Sequence, residues 1–270
     1  MSRVPLPVFF HGESCEKKAA YAKKGGFGIA SISETKYKGE GTLMKTLKGR
    51  KSLFALITAM SLLPAFSFAA PALHAAVREG VDYVTLAKPV AGMDRTVIEV
   101  FSYDCTFCYK HDQMVIPNLA KILARDGIRF TPWHLKTRGR YGSHASELFA
   151  SLMTRDEKAG LGLFDDRGSF KKAKFAYYRA YHESRERWDR GPDSFLKTGL
   201  DAAGISGAEF QKLLREPATQ DRLKDWNGAY EIARIQGIPA FVVKGKYLLS
   251  MKNLRSLDDM AAKIRELMAK

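Results

Sequence analysis

The segment that most constrains the fold of this chain is an apolar run followed closely by two cysteines. Residues 96–101 read Thr-Val-Ile-Glu-Val-Phe, which is typical of a buried strand, and Cys105-Thr106-Phe107-Cys108 follows after three intervening residues. This order places the cysteines on the first turn of a helix, where unpaired N–H groups and partial positive charge stabilise a thiolate. We therefore predict a redox-active pair. Cys105 is the exposed nucleophile, and Cys108, one turn further along, closes a disulfide with it.

Other roles for two cysteines at this spacing meet obstacles in the rest of the sequence. A closed zinc site requires four ligands, and the further cysteine, Cys15, lies in a segment that we expect to be absent from the mature protein. Haem attachment requires a histidine after the second cysteine, where this chain has Tyr109. A purely structural disulfide stays open as an alternative, although so small a loop adds little through chain entropy. The residues favour redox catalysis without a metal or other cofactor.

A proline far downstream is the second feature of interest. Pro239 stands at the head of the apolar run Ala240-Phe241-Val242-Val243. A proline inside a central strand would remove a hydrogen-bond donor, so this one belongs at the start of a strand. An ordinary trans proline in a loop is the alternative. Together with the cysteine pair, however, Pro239 is predicted to be cis and to lie beside the disulfide, where neighbouring backbone can pair with an extended substrate.

These residues, with many others, resemble a known family: the DsbA-type periplasmic thiol:disulfide oxidoreductases, and most of all their DsbL branch. The resemblance begins at about Glu79 and covers nearly all of the chain beyond it. The matching segments are residues 79–83, 86–90, 100–103, 105–110, 130–135, 170–178, 235–240 and 245–248. The chain departs from the family pattern at Thr106, where the family usually has proline, and at Asp104, an acid directly before Cys105.

The resemblance implies an α/β fold, thioredoxin-like with an inserted α-helical subdomain. It implies that the Cys105–Cys108 disulfide passes to reduced secreted client proteins, with Thr106, Phe107, Ile238 and Pro239 contacting the substrate. The implied partners are such clients, for instance an arylsulfate sulfotransferase, and a quinone-linked inner-membrane protein of the DsbB/DsbI type that reoxidises the dithiol. A disulfide isomerase or reductase of the same fold, and a non-enzymatic binding module with a structural disulfide, are the alternatives.

Glu99 lies within the apolar strand, six residues before Cys105. Strand alternation places it on the opposite face from Ile98 and Val100, so an outward, solvated glutamate is one interpretation. In a central strand, however, both faces are covered. Glu99 is then a buried acid with a raised pKa that handles the proton of Cys108, as the resemblance also implies.

The first part of the chain has the pattern of an export signal. Residues 44–69 combine a basic start, an apolar stretch and small residues at Ser67 and Ala69, which predicts a secretory signal peptide and a periplasmic mature protein. Pro64 interrupts the apolar stretch, which argues against a permanent membrane anchor. Residues 1–43 show no helical or strand periodicity, and we interpret them as a mis-assigned start or a disordered leader.

The mature part is long enough for one or two compact regions. Strand patterns occur at residues 83–86, 97–101, 128–133, 240–243 and 247–250, and a capped helix is predicted from Ser256 to Met268. The region between the third and fourth strands is almost wholly helical in pattern. We therefore divide the mature chain into a first thioredoxin-like part at 70–136, an inserted helical subdomain at 137–224 and a second thioredoxin-like part at 225–270.

The chain carries a net charge of +15, of which about +8 remains on residues 70–270. A basic protein can favour nucleic acid, membrane headgroups or acidic partners. No nucleic-acid recognition motif accompanies the charge, so we predict no nucleic-acid partner. A segment extending from Lys171 to Arg190 holds many of the cations and is either a solvated helix face or a surface that selects acidic partners. Without a visible dimerisation segment, a monomer is expected.

Overall fold

The structure, a computed structural model, describes residues 76–270, which lie within one compact unit. The predicted signal peptide (residues 44–69) and the segment 1–43 lie outside the described residues. Among the residues that are described, no helix is both long and apolar enough to cross a bilayer.

Five strands form one mixed sheet in the order β1-β5-β4-β2-β3. Their bounds are β1 Tyr83–Thr85, β2 Thr96–Phe101, β3 Arg129–His134, β4 Ala240–Val243 and β5 Tyr247–Leu249. Strand β2 pairs in parallel with β3 and antiparallel with β4. All five predicted strands are confirmed to within about a residue at each end.

The two faces of the sheet bury separate apolar clusters, as the period of two along a strand requires. Val97 of β2 and Phe241 of β4 contribute to a cluster with residues of the helices α2 (Ile116–Arg125) and α9 (Leu257–Ala269). Ile98 and Val242 contribute to the cluster on the other face. Burying an aliphatic or aromatic side chain stabilises the fold by about 1.5–3 kcal/mol, so these strands are held from both sides.

Two helices follow Cys105 in the chain. Helix α1 spans Thr106–Met114 and α2 begins at Ile116. Pro117 occupies the first turn of α2, where its missing N–H is tolerated. In a continuous helix the same proline would remove a hydrogen bond and clash with the preceding turn, so the chain breaks at Val115.

Six helices and one π-helical turn lie between β3 and β4. Their bounds are α3 Gly142–Lys158, α4 Ser169–Tyr178, a π-helix at Arg179–Glu183, α5 Pro192–Ala203, α6 Gly207–Leu214, α7 Pro217–Trp226 and α8 Ala229–Gln236. Helix α3 packs against α4, α5, α6 and α7. The fold is thioredoxin-like α/β with a helical insertion, as expected. The exact division at residues 136/137 and 224/225 stays a prediction.

The last helix begins where its cap was predicted. The Ser256 hydroxyl accepts a hydrogen bond from the Asp259 N–H at 3.1 Å, which satisfies one of the free donors of the first turn of α9. Before it, Lys244 and Gly245 both adopt positive φ in the tight connection between β4 and β5.

Candidate active site

The two cysteines lie where the sheet delivers the chain to a helix. Strand β2 ends at Phe101, and Cys105 is the N-cap of α1 with an extended backbone. The Cys105 Sγ accepts a hydrogen bond from the Cys108 N–H at 3.1 Å. The two residues form a disulfide, and their Cα atoms lie 5.2 Å apart. The position predicted for the pair at the start of a helix is therefore confirmed.

The exposure of Cys105 differs from the expectation. Cys105 is only 3% exposed and Cys108 is fully buried. The sulfur of Cys105 is covered on one side by Cys108 and on another by the Ile238 carbonyl oxygen, 3.6 Å away. The accessible part of the motif is Thr106 and Phe107, and the Phe107 side chain is 68% exposed. A partner that reaches the disulfide therefore meets an aromatic surface.

Pro239 follows a cis peptide bond from Ile238, as predicted, and β4 begins at the next residue. A groove of about 390 Å³ runs beside this bond. Ile238, Arg138 and Tyr230 are among its lining residues. The groove lies next to the disulfide, because Ile238 contacts Cys105.

The acid before the nucleophile has a cationic neighbour that sequence reasoning missed. The Asp104 carboxylate accepts hydrogen bonds from the Ser102 hydroxyl at 2.8 Å and from Arg138 Nε at 3.1 Å. Arg138 follows β3, and parallel pairing brings the carboxyl ends of β2 and β3 together. The parallel pairing of β2 and β3 could have indicated that residues after the two strands lie close together.

Gly139 allows the loop after β3 to approach the side chain of Tyr103, two residues before Cys105. A Cβ at this position would lie 2.6 Å from the Tyr103 hydroxyl, and the backbone φ is +78°. Only glycine adopts this conformation without strain at so close an approach.

Glu99 is completely buried, so the solvated interpretation is wrong. Helix α4 places the Lys174 ammonium 3.7 Å from Glu99 Oε2. Neither carboxyl oxygen of Glu99 has a hydrogen-bond partner among the described residues. Burial raises the pKa of Glu99 to about 8, against the lowering effect of Lys174. Glu99 is therefore a protonated acid at neutral pH.

Asp112 completes this group of charges. It lies on α1 four residues after Cys108, and its carboxylate is 2.7 Å from Lys174 Nζ. The Tyr178 hydroxyl donates to the same carboxylate at 2.7 Å. Residues four apart share one helix face, so Asp112 and Cys108 point to the same side of α1. Sequence reasoning missed Asp112. It placed Lys174 within a cationic segment that is either solvated or open to partners, and for Lys174 this is wrong, because α4 turns its side chain into the interior.

The π-helix forms a further wall of the site. His182 Nε2 lies 3.2 Å from the Tyr103 carbonyl oxygen, and the His182 ring stacks on Tyr109. Tyr109 also donates a hydrogen bond to Glu183. Burial lowers the pKa of His182, so its ring is neutral at neutral pH and Nε2 donates to the carbonyl. The segments on both sides of the cysteines are thus fixed to the helical insertion.

Histidine and acidic side chains do not gather into a metal site in the described residues. His134 is buried, its Nδ1 lies 2.8 Å from the Ser146 hydroxyl, and burial lowers its pKa to about 3. Its role is structural, since it stays neutral over the whole physiological range.

Comparisons with known proteins agree with this geometry. The family model of the DSBA-like thioredoxin domain matches residues 96–265. The thiol:disulfide interchange protein DsbL of Lelliottia amnigena is 53% identical over 206 residues, which cover 76% of this chain and 92% of that protein. DsbL of Escherichia coli O6:H1 is 50% identical over 224 residues, which cover 82% of this chain and 98% of that protein. The crystal structure of DsbL from Salmonella enterica serovar Typhimurium gives a TM-score of 0.71 at 51% identity, covering 73% of this chain and 100% of that one.

Proposed function

The chain belongs to the DSBA-like thioredoxin family and is a thiol:disulfide oxidoreductase, and we propose that it acts as a dithiol oxidase through Cys105 and Cys108. The observation that carries this proposal is the disulfide at the N-terminus of α1, with the Cys105 sulfur already accepting a hydrogen bond from the Cys108 N–H. After reduction, the same N–H and the helix N-terminus stabilise a thiolate at Cys105. A stabilised thiolate lowers the free energy of the reduced protein relative to the oxidised protein. The disulfide is therefore a strong oxidant.

The reaction consists of two exchanges. A client thiolate attacks Cys105 Sγ, the Cys105–Cys108 bond breaks, and Cys108 leaves as a thiolate that takes up a proton. A second client thiolate then attacks the client sulfur of the mixed disulfide. The client leaves with its new disulfide, and Cys105 is released as a thiolate. Two electrons have passed from the client to the protein.

Glu99 is proposed as the acid that protonates Cys108. Its buried carboxyl group holds a proton at neutral pH. Lys174 contacts both Glu99 and Asp112, and Asp112 lies on the face of α1 that also carries Cys108. During reoxidation the same group takes the proton back, so that Cys108 can resolve the mixed disulfide with an oxidising partner.

Clients are proposed to lie against the exposed aromatic surface and the groove beside the cis bond. Thr106 and Phe107 offer the accessible part of the motif, and Ile238, the residue before Pro239, lines the groove. An extended client segment can pair with the backbone before Pro239 while its cysteine approaches Cys105.

The cellular setting is proposed from the predicted export signal and from the family. The protein acts in the periplasm as a monomer. It oxidises reduced secreted clients, an arylsulfate sulfotransferase among them, and a quinone-linked inner-membrane protein of the DsbB/DsbI type reoxidises it. A reductase or isomerase of the same fold is the second candidate, because that activity uses the same cysteine motif.

Trapping of mixed disulfides tests which sulfur is attacked. We expect Cys108→Ser to accumulate a covalent adduct at Cys105 with a partner that carries an activated disulfide, because no second thiol resolves the adduct. We expect Cys105→Ser to form none, because Cys108 is buried. Intact-mass measurement of both variants after equal incubation gives the answer. Equal adduct formation by the two variants would contradict the assignment.

A further inference from the structure

Lys174 is a buried cation that the exchange steps do not yet involve. Only 5% of its side chain is exposed, and it belongs to α4 of the helical insertion. Its ammonium lies 2.7 Å from Asp112 of α1, 3.7 Å from Glu99 of β2 and 3.9 Å from the centre of the Phe101 ring. Burying an ammonium is costly unless it is paired, so a lysine held here has compensating partners.

The sheet itself brings no charge to Glu99. In the register of β2, Glu99 lies beside Pro132 of β3 and Phe241 of β4. Within residues 76–270, Lys174 is the one cation within 4.0 Å of the Glu99 carboxyl group. The positive charge at this acid is therefore supplied by the helical insertion and not by the thioredoxin-like part.

We propose that Lys174 is a positioning residue for disulfide exchange: its ammonium stabilises the Glu99 carboxylate that forms when Glu99 gives its proton to Cys108. This inference rests on the proposed role of Glu99. It makes the acidity of the active site depend on how α4 docks against α1 and β2.

The charges balance through the step. Before it, Glu99 is neutral, Lys174 is positive and Asp112 is negative. Cys108 leaves the disulfide as a thiolate and takes the Glu99 proton, so the negative charge moves from sulfur to the carboxylate beside Lys174. The nearby groups do not replace the lysine. The Tyr178 hydroxyl is bound to Asp112, and neutral His134 on β3 carries no charge.

The pH dependence of one rate tests the inference. Reduced glutathione is the probe, and its second-order rate of attack on the oxidised protein is measured from about pH 5 to 9 for wild type, Glu99→Gln, Lys174→Met and the double variant. Glu99→Gln is expected to be slow because Cys108 then leaves without its acid. Lys174→Met is expected to be about tenfold slower than wild type at pH 7. Its curve of rate against pH is expected to lie about one pH unit higher, in the direction in which the Glu99 pKa moves.

Two comparisons make the test specific to the pathway through Glu99. In the Glu99→Gln background, Lys174→Met is expected to add less than about a twofold change, since the carboxylate it stabilises is gone. Lys171→Met is the matched control, since Lys171 lies on the same helix but pairs with Asp166 at the surface, and it is expected to behave as wild type. Direct titration of the Glu99 carboxyl by carbon NMR is expected to move to higher pH in Lys174→Met only.

The possible failures are distinguishable. If Glu99→Gln reacts like wild type, the proposed role of Glu99 is wrong and the inference falls with it. If Glu99→Gln is slow but Lys174→Met is normal, or if Lys174→Met slows the Glu99→Gln variant as much as it slows wild type, the inference about Lys174 alone is wrong.

Should Lys174→Met not fold, a variant that combines Asp112→Asn with Lys174→Met removes both charges. A smaller shift of the same direction is then expected, because Lys174 influences Glu99 more than Asp112 does. An unshifted profile would overturn the inference.

Discussion

Asp104 shows how a single charge tunes the nucleophile. Its carboxylate lies next to Cys105 in sequence and opposes a thiolate there, while Arg138 partly offsets it. We expect Asp104→Ala to move the thiolate titration of reduced Cys105 to lower pH, by less than about one unit because the pair is partly solvated. The removal of the acid also leaves Arg138 free to face the thiolate.

Ultraviolet absorbance of the thiolate against pH measures this effect. Arg138→Met is the matched variant of opposite sign, and its titration should move to higher pH. An unchanged or higher midpoint in Asp104→Ala would show that the carboxylate acts on Arg138 and Ser102 alone and not on the sulfur.

At the scale of elements, α4 is fixed at its N-terminus by an acid from another helix. The N-cap of α4 is Gly168, which has no side chain to cap with. Asp156 of α3 takes that role and accepts hydrogen bonds from the Ser169 N–H, the Ser169 hydroxyl and the Phe170 N–H. We expect Asp156→Ala to lower the free energy of unfolding by about 1–3 kcal/mol, since buried donors lose their acceptor.

Urea unfolding of the oxidised protein measures this loss. Asp166→Ala is the control at an acid whose side chain is 95% exposed, and it should change the free energy of unfolding by less than about 0.5 kcal/mol. A similar loss in both variants would contradict the capping role of Asp156.

The sequence was sufficient for the five strands, the last helix and the cysteines, because strand alternation, the cap at Ser256 and the Cys-x-x-Cys spacing are local signals. It also predicted the cis bond before Pro239, because that proline begins a strand and the chain carries the cysteine pair. It could not predict the contacts of Lys174, whose partner Asp112 lies 62 residues away, or those of Asp156, whose partners lie 13 and 14 residues away across the turn between α3 and α4. The exposure of Cys105 was also misjudged, because the covering Ile238 carbonyl comes from a distant segment.

For the whole molecule, Glu99 makes stability depend on pH. Burial raises its pKa from 4.5 to about 8, so the folded protein holds a proton that the unfolded chain loses between these values. Its stabilising contribution is complete below about pH 4.5 and is lost as the pH rises through 8. We expect Glu99→Gln to remove this slope, so that the oxidised variant gains stability relative to wild type at the alkaline end.

His134 provides an internal control for that experiment. Burial lowers its pKa from 6.5 to about 3, so its contribution is present above pH 6.5 and is lost as the pH falls toward 3. Urea unfolding at a series of pH values should show this acid limb in both wild type and Glu99→Gln. If Glu99→Gln still lost stability toward alkaline pH as wild type does, the raised pKa of Glu99 would be contradicted.

The redox potential of the Cys105–Cys108 pair tests the central claim most directly. Equilibration with glutathione redox buffers, followed by quantification of the reduced fraction, gives its value. A dithiol oxidase that gains its power from a stabilised Cys105 thiolate should have a potential near −120 mV or less negative. A potential of about −180 mV or below would instead indicate an isomerase or reductase, and one below about −300 mV would show that the disulfide is structural.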